Sequence, residues 1–235
     1  EVGVSVNAFS ENELDALGIQ EASDVMAFTP GATLTSAGQG VPVYTIRGIG
    51  FDDYNSNSSS TVGINVDEVA LPYPIMTRVP QFDVERVEIL KGPQGTLFGQ
   101  NTTGGTVNFI HNKPEDFNYG SVKVSYDSDG MAGLEGFVNA PITDTLNGRF
   151  SFFTEQGGAW QENAAVGGEG QENGDSDKVA FRVQLGWAAT DEVNILFNAD
   201  YHKDESDNIV PQHSDIFHAS PGNDPEILDY IKNDF

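Results

Sequence analysis

From Gly120 onward, apolar and polar side chains alternate with a period of two in five segments, with almost no helical spacing. Val122, Val124 and Tyr126 alternate with Ser121, Lys123 and Ser125. Ala132, Leu134, Gly136, Val138 and Ala140 share a face, and Phe150 and Phe152 alternate with Arg149 and Ser151. Val179, Phe181, Val183, Leu185 and Trp187 oppose Arg182, Gln184 and Gly186. Val193, Ile195, Phe197, Ala199 and Tyr201 oppose Asn194, Asn198 and Asp200. Neighbouring side chains of a strand point to opposite faces, so the pattern predicts five strands, each with one apolar and one polar face. Their length is close to the roughly 9–11 residues that cross a membrane as a tilted strand. Connectors alternate too: short at residues 141–145 and 190–191, long and polar at 156–177 and from 203 on. Short turns at one end and long loops at the other are the pattern of an outer-membrane barrel wall. Tyr126, Trp187 and Tyr201 fall near strand ends, where an interfacial aromatic girdle lies. A soluble antiparallel sheet with one buried face gives the same alternation. The connector lengths favour the barrel, as does the polar set Arg149, Arg182, Asn194, Asn198 and Asp200, which suits a wet lumen. Bacterial barrels begin at about eight strands and an unpaired edge is costly in hydrocarbon, so this reading expects the barrel to continue beyond residue 235.

The first ~115 residues have a mixed texture. Ser10-Glu11-Asn12-Glu13 fits a capping box, with Ser10 closing the Glu13 amide and Glu13 reaching back. It predicts a short helix ending at Gly18, and residues 21–28 predict a second, stopped by Thr29-Pro30-Gly31. Strand-like runs follow at 43–46, 62–69, 84–90 and 106–110, between Gly-rich turns and the polar stretch 52–61. The expected organisation is an α+β domain over residues 1–115, then antiparallel transmembrane β-barrel strands over 116–235.

Composition narrows the function. The 235 residues carry 11 Lys+Arg against 36 Asp+Glu, a formal charge of −25. That leaves no excess of cations to displace phosphate counterions, which argues against nucleic acid. Aromatic and β-branched residues are too frequent for a disordered chain. The absence of Cys removes disulfides, a thiol nucleophile and a Cys-based zinc site. No run approaches the roughly 20 apolar residues of a membrane-spanning helix. The opening Glu1-Val2-Gly3-Val4 lacks signal-peptide features and an initiator Met, so an internal or processed start is expected, with any targeting signal upstream.

Several motifs resemble one family. Ile46-Arg47-Gly48-Ile49-Gly50 is similar to the IRG element in the plug domain of TonB-dependent outer-membrane receptors. The run Val62 to Val69 resembles the central strand and turn of that plug. The most specific match is Asp83-Val84-Glu85-Arg86-Val87-Glu88-Ile89-Leu90-Lys91-Gly92-Pro93-Gln94-Gly95-Thr96-Leu97-Phe98-Gly99, continued by Asn101-Thr102-Thr103-Gly104-Gly105-Thr106-Val107-Asn108. The resemblance implies a plug over about residues 1–115 and the opening strands of a barrel that has 22 strands in the family. It implies a plug–barrel latch in which Arg47 and Lys91 meet glutamates of the barrel wall. Glu85, Arg86, Glu88 and Lys91 share a strand that the wall would enclose, where charges need partners. Lys91 departs from the more usual Arg and loses the bidentate fork. Substrate would meet apical loops near residues 35–40, 51–55 and 73–76, with Asp53, Tyr54 and Tyr73 as candidate contacts. The implied partners are TonB, through a box upstream of Glu1, outer-membrane lipid and a small-molecule or oligomeric nutrient. The implied role is active import of a scarce, bulky substrate, with iron–siderophore complexes the default and glycans, aromatic compounds, lipids or cobalamin as other classes.

Other chemistry finds little support. Gly48-Ile49-Gly50 lacks the third glycine of a dinucleotide fingerprint, no phosphate loop occurs, and no nucleophile elbow accompanies the Ser, His and Asp residues. No cofactor and no enzymatic activity are therefore expected. His213, Asp215 and His218 read as solvated loop residues rather than metal ligands. Asp127-Ser128-Asp129-Gly130 reads as a hairpin turn rather than a calcium loop. Acidic residues crowd the long connectors, which fits solubility or long-range attraction of cations. The alternative from another class is a secreted or surface-attached β-rich binding or adhesion protein, which requires the second half to be a soluble sheet.

Overall fold

A computed structural model describes residues 5–19, 22–37, 41–51, 59–159, 161–162 and 172–207. The first region runs β1 (Ser5–Ser10), α1 (Glu11–Leu17), α2 (Ala22–Ala27), β2 (Ala32–Ala37) and β3 (Val41–Ile46). It continues with β4 (Val62–Val66), β5 (Val69–Ala70), a 3-10 turn (Pro74–Arg78), β6 (Val84–Lys91), α3 (Gly95–Phe98) and β7 (Gly105–His111). Five of the strands form one sheet in the order β1-β6-β7-β4-β5. Among the described residues only the β4–β7 pairing is parallel; β2 and β3 form a separate hairpin.

The capping box forms in part. The Glu13 carboxylate accepts from the Ser10 amide at 2.9 Å, but the Ser10 hydroxyl donates to that same carboxylate at 2.7 Å instead of capping the Glu13 amide. Gly18 then ends the helix with φ +66°. The core gathers Leu14, Val25 and Met26 from the helices with Tyr44, Ile46, Val62, Ile64, Val87, Ile89, Val107 and Phe109 from the strands. β7 is buried along its whole length because β6 and β4 flank it. Its first residue must be glycine: a Cβ at Gly105 (φ +150°) would sit 2.4 Å from the Leu90 carbonyl oxygen. A register shift between Val84 and Arg86 lets Val84 and Val87 both face the core.

The second region is a sheet of β8 (Tyr119–Tyr126), β9 (Ala132–Thr143), β10 (Leu146–Gly157), β13 (Ser176–Ala188) and β14 (Asn194–Asp204), paired antiparallel in chain order. A small pair, β11 (Gln161–Glu162) and β12 (Glu172–Asn173), lies in the connector between β10 and β13. The five expected strands are present and longer than their sequence patterns. β9 continues to Thr143 and β10 starts at Leu146, so the expected connector at 141–145 shrinks to two residues. The turns at 144–145 and 189–193 fall at one end of the sheet; the long connector between β10 and β13 falls at the other, beside the five-residue β8–β9 turn at 127–131. The calcium-like stretch is a hairpin turn, as expected: the Asp127 carboxylate accepts from the Asp129 and Met131 amides.

Register divides this sheet cleanly. One row across β8, β9, β10, β13 and β14 reads Val122, Gly136, Phe152, Phe181 and Tyr201. The adjacent row, on the opposite face, reads Ser121, Phe137, Ser151, Arg182 and Asp200. The apolar face is the open one: Val122, Val138, Phe150, Phe181 and Trp187 are exposed. The polar face is covered over β9, β10 and β13: Asn139, Arg149, Ser151, Arg182 and Gln184 are all at most 5% exposed. A soluble sheet arranges its faces the other way round, so the soluble alternative fails on this inversion. An apolar exterior over a polar interior is the barrel-wall arrangement.

Candidate functional site at the seam between plug and wall

The first region covers the polar face of the wall, and the tightest contact is at Asp83. This residue precedes β6 and holds φ +56°, a left-handed conformation that Asp tolerates better than most side chains. Arg149 of β10 grips its carboxylate with both arms, Nε to Oδ2 at 2.7 Å and Nη2 to Oδ1 at 2.5 Å. The Ser151 hydroxyl donates to Oδ2, and Asn112 Nδ2 donates to Oδ1 at 3.1 Å. The Asp83 amide donates to Glu135 Oε1 of β9 at 3.2 Å, and its carbonyl accepts from the Asn112 amide at 3.1 Å. Arg149 is held from behind: Nη1 donates to the Tyr119 hydroxyl at 2.7 Å, and the guanidinium lies 3.8 Å from the Phe137 ring centroid. Tyr119 in turn donates to Glu115 at 2.7 Å.

Phe82 extends the contact toward the long-loop end. Its ring stacks on Phe153 at 6.2 Å, and Arg182 lies over the same ring at 4.9 Å from its centroid while bonding Asp200 at 2.5 Å. Arg78 ends the 3-10 turn, four residues before Phe82. Tyr44 ties the turn to β3 through the Thr77 hydroxyl at 2.6 Å.

A second buried pair joins the β4–β5 turn to β7. His111 Nδ1 meets Asp67 Oδ2 at 2.8 Å, and the His111 amide donates to Asp67 Oδ1 at 2.9 Å. Burial pushes the His111 pKa down and outweighs the pull of Asp67. Burial would raise the Asp67 pKa, but its bonds to His111 hold it below the usual carboxylate range. His111 is therefore neutral near pH 7, with the Nδ1 proton donated to Asp67.

The residues singled out from sequence are placed as follows. Tyr73 opens the 3-10 turn and is exposed, as are Ile75 and Met76 beside it. Asp53 and Tyr54 lie outside the described residues, as do His213, Asp215 and His218. Arg86 bonds Glu85 at 2.5 Å and Glu88 at 2.8 Å, so these three charges on β6 satisfy one another. The Glu88 bond is the main reason the Arg86 pKa is raised. Lys91 is buried and donates from Nζ to the Pro30 carbonyl at 2.7 Å. Arg47 is exposed with φ +52° in the turn after β3; among the described residues no carboxylate pairs with it. Asp83, Asn112, His111 and Tyr119 were not legible as site residues. The available signal was Arg149: a cation on a covered polar face requires a carboxylate across the seam.

Residues 1–106 match the family of the TonB-dependent receptor plug domain. The chain is 26% identical over 155 residues to the iron-regulated outer membrane virulence protein of Vibrio cholerae, a match covering 61% of this chain and 23% of that protein. It is 27% identical over 146 residues to the ferripyoverdine receptor of Pseudomonas aeruginosa, covering 62% of this chain and 17% of that one. Its fold matches the ferric yersiniabactin uptake receptor FyuA from Yersinia pestis with a TM-score of 0.76 and 25% identity, over 85% of this chain and 31% of that one. The chain thus spans about a quarter or less of the length of these curated relatives. With the plug motifs, the plug-and-wall architecture and these likenesses in agreement, residues 1–106 are a TonB-dependent receptor plug domain, followed by strands arranged as in the outer-membrane receptors that the chain resembles.

Proposed function

We propose that the protein imports a scarce, bulky nutrient across the outer membrane, driven by TonB. The observation that carries this reading is a plug domain seated on the polar face of a wall whose other face is apolar and exposed. The division of labour falls at about residue 115, between β7 and β8. Substrate binds at the long-loop end, contacting the plug through Tyr73 and through Asp53 and Tyr54. Binding shifts the plug, and TonB, engaging a segment that precedes residue 1, pulls it to open a path. Arg47 and Lys91 latch the plug to glutamates elsewhere on the wall, while Arg86 with Glu85 and Glu88 keeps β6 charge-neutral inside it. The protein performs no covalent chemistry.

The substrate class is a ferric siderophore, supported by relatives named for iron and ferric-siderophore uptake. The test is uptake of radiolabelled ferric siderophores by a strain lacking the receptor and by one lacking TonB, both grown under iron limitation. Loss of uptake in both supports the reading. Normal uptake and growth without the receptor contradicts the iron version, and uptake that survives loss of TonB contradicts the energy coupling.

A further inference from the structure

We propose that Asp83 and Arg149 form a pin that seats the plug in the barrel and keeps the pore shut, separate from the latch at Arg47 and Lys91. Three observations converge on this pair. It joins residues 66 positions apart across the seam, and both side chains are at most 2% exposed, so the pairing is shielded from water and salt. Every polar group of Asp83 is engaged, its amide by Glu135, its carbonyl by Asn112 and its carboxylate by Arg149, Ser151 and Asn112. Its backbone is also held at positive φ, a conformation that persists only where surrounding contacts over-determine it. Among the other charged groups of β6, Arg86 bonds Glu85 and Glu88 of the same strand and Lys91 bonds the Pro30 carbonyl, all on the plug side of the seam.

The geometry gives each residue a task. Asp83 fixes where β6 enters the sheet. Arg149 reads the carboxylate with a planar fork that Lys cannot reproduce, and Tyr119 and Phe137 fix the plane of that fork. These are positioning residues; neither is proposed to touch substrate. A cavity of about 100 Å³ lies beside the pin, lined in part by Asp83, Glu135, Lys123 and Glu11. If the pin is broken, Asp83 is left as a buried charge at the edge of a space water can enter. Hydration of the seam then competes with seating of the plug.

The proposal rests on the transport reading only for the closed barrel around the plug. Its test therefore uses ion conductance, which needs no substrate. Full-length receptor is reconstituted in planar lipid bilayers and the frequency of open-pore events is counted in potassium chloride. Arg149→Met and Asp83→Leu are each expected to raise that frequency about tenfold or more. The double variant is expected to leak no more than the worse single one, because the two side chains act as one unit. Arg149→Lys is expected to fall between Arg149→Met and the unaltered receptor, and it stands in if the Met variant does not assemble. Single variants as closed as the unaltered receptor would overturn the proposal. So would a double variant whose leak is the product of the two single effects. A receptor that transports an unforeseen substrate but shows this coupling would revise the function and leave the pin intact.

Discussion

In the plug, Val87, Ile89, Val107 and Phe109 are hidden by neighbouring strands and helices, and charged groups such as Glu85 and Arg86 keep access to water. In the wall, Val122, Phe150, Phe181 and Val183 are bare, while Arg149, Ser151 and Gln184 are sealed against the plug. Both regions are built from strands of similar composition, so strand propensity does not separate them. Each face is matched to a different solvent: water and wall on one side of the seam, hydrocarbon on the other. The two arrangements are complementary, because the polar groups that the wall turns inward are the partners that the edge of the plug needs.

The largest effect that separates the regions is expected from cavity formation in the plug core. Phe109→Ala should cost about 3–5 kcal/mol of plug stability. Hydrogen exchange of the full-length receptor should then speed up in β6 and β7 and leave β10 and β13 unchanged. Equal loss of protection in both regions would mean that they form one cooperative unit. On the wall, Val183→Arg puts a charge on the outward face near mid-strand and should cost about 2–4 kcal/mol on folding into lipid vesicles. A negligible cost would place that face in water.

Acid should loosen the plug before the wall. His111 has a lowered pKa in the fold, so its contribution is complete above the ordinary histidine range and is lost as pH falls below about 6.5 toward the folded value. Asp67, also lowered, adds a loss with the same sign at lower pH, below about 4. Exchange of the β4–β5 turn should therefore accelerate below about pH 6.5, and a His111→Gln variant should lose that first step. The smallest effect is expected at Ser10→Ala, because its hydroxyl bonds an exposed carboxylate and does not cap an amide. It should appear only as faster exchange within α1.

The wall was almost wholly legible in the sequence, because alternation is a local pattern and each of the five strands carries it for most of its length. Its strands were underestimated where Gly, Pro and Thr interrupt the alternation, as at 141–148, and where polar residues carry them past it, as at 176–178 and 202–204. The plug was legible where apolar runs are dense, at β3, β4, β6 and β7. It was missed at β1 and β2, whose Ser-Val-Asn-Ala-Phe-Ser and Ala-Thr-Leu-Thr-Ser-Ala are ordered by pairing with distant or flanking strands rather than by their own pattern. The sequence motifs drew attention to Arg47 and Lys91, whereas Asp83 entered only as the first residue of the Asp83–Gly99 match, with no role attached. Its role depends on Arg149, 66 positions away, and no local pattern reports a pairing of that span.

The most direct test of the account is a nitroxide scan of β13 from Val179 to Trp187 in the full-length receptor, reconstituted in lipid vesicles. Accessibility of each label is measured to oxygen, which concentrates in the bilayer, and to a water-soluble nickel complex. The account predicts a period of two: Val179, Phe181, Val183 and Leu185 open to oxygen, and Ala180, Arg182 and Gln184 shielded from it by the plug. Outward positions open to nickel rather than oxygen, or no alternation at all, would contradict it.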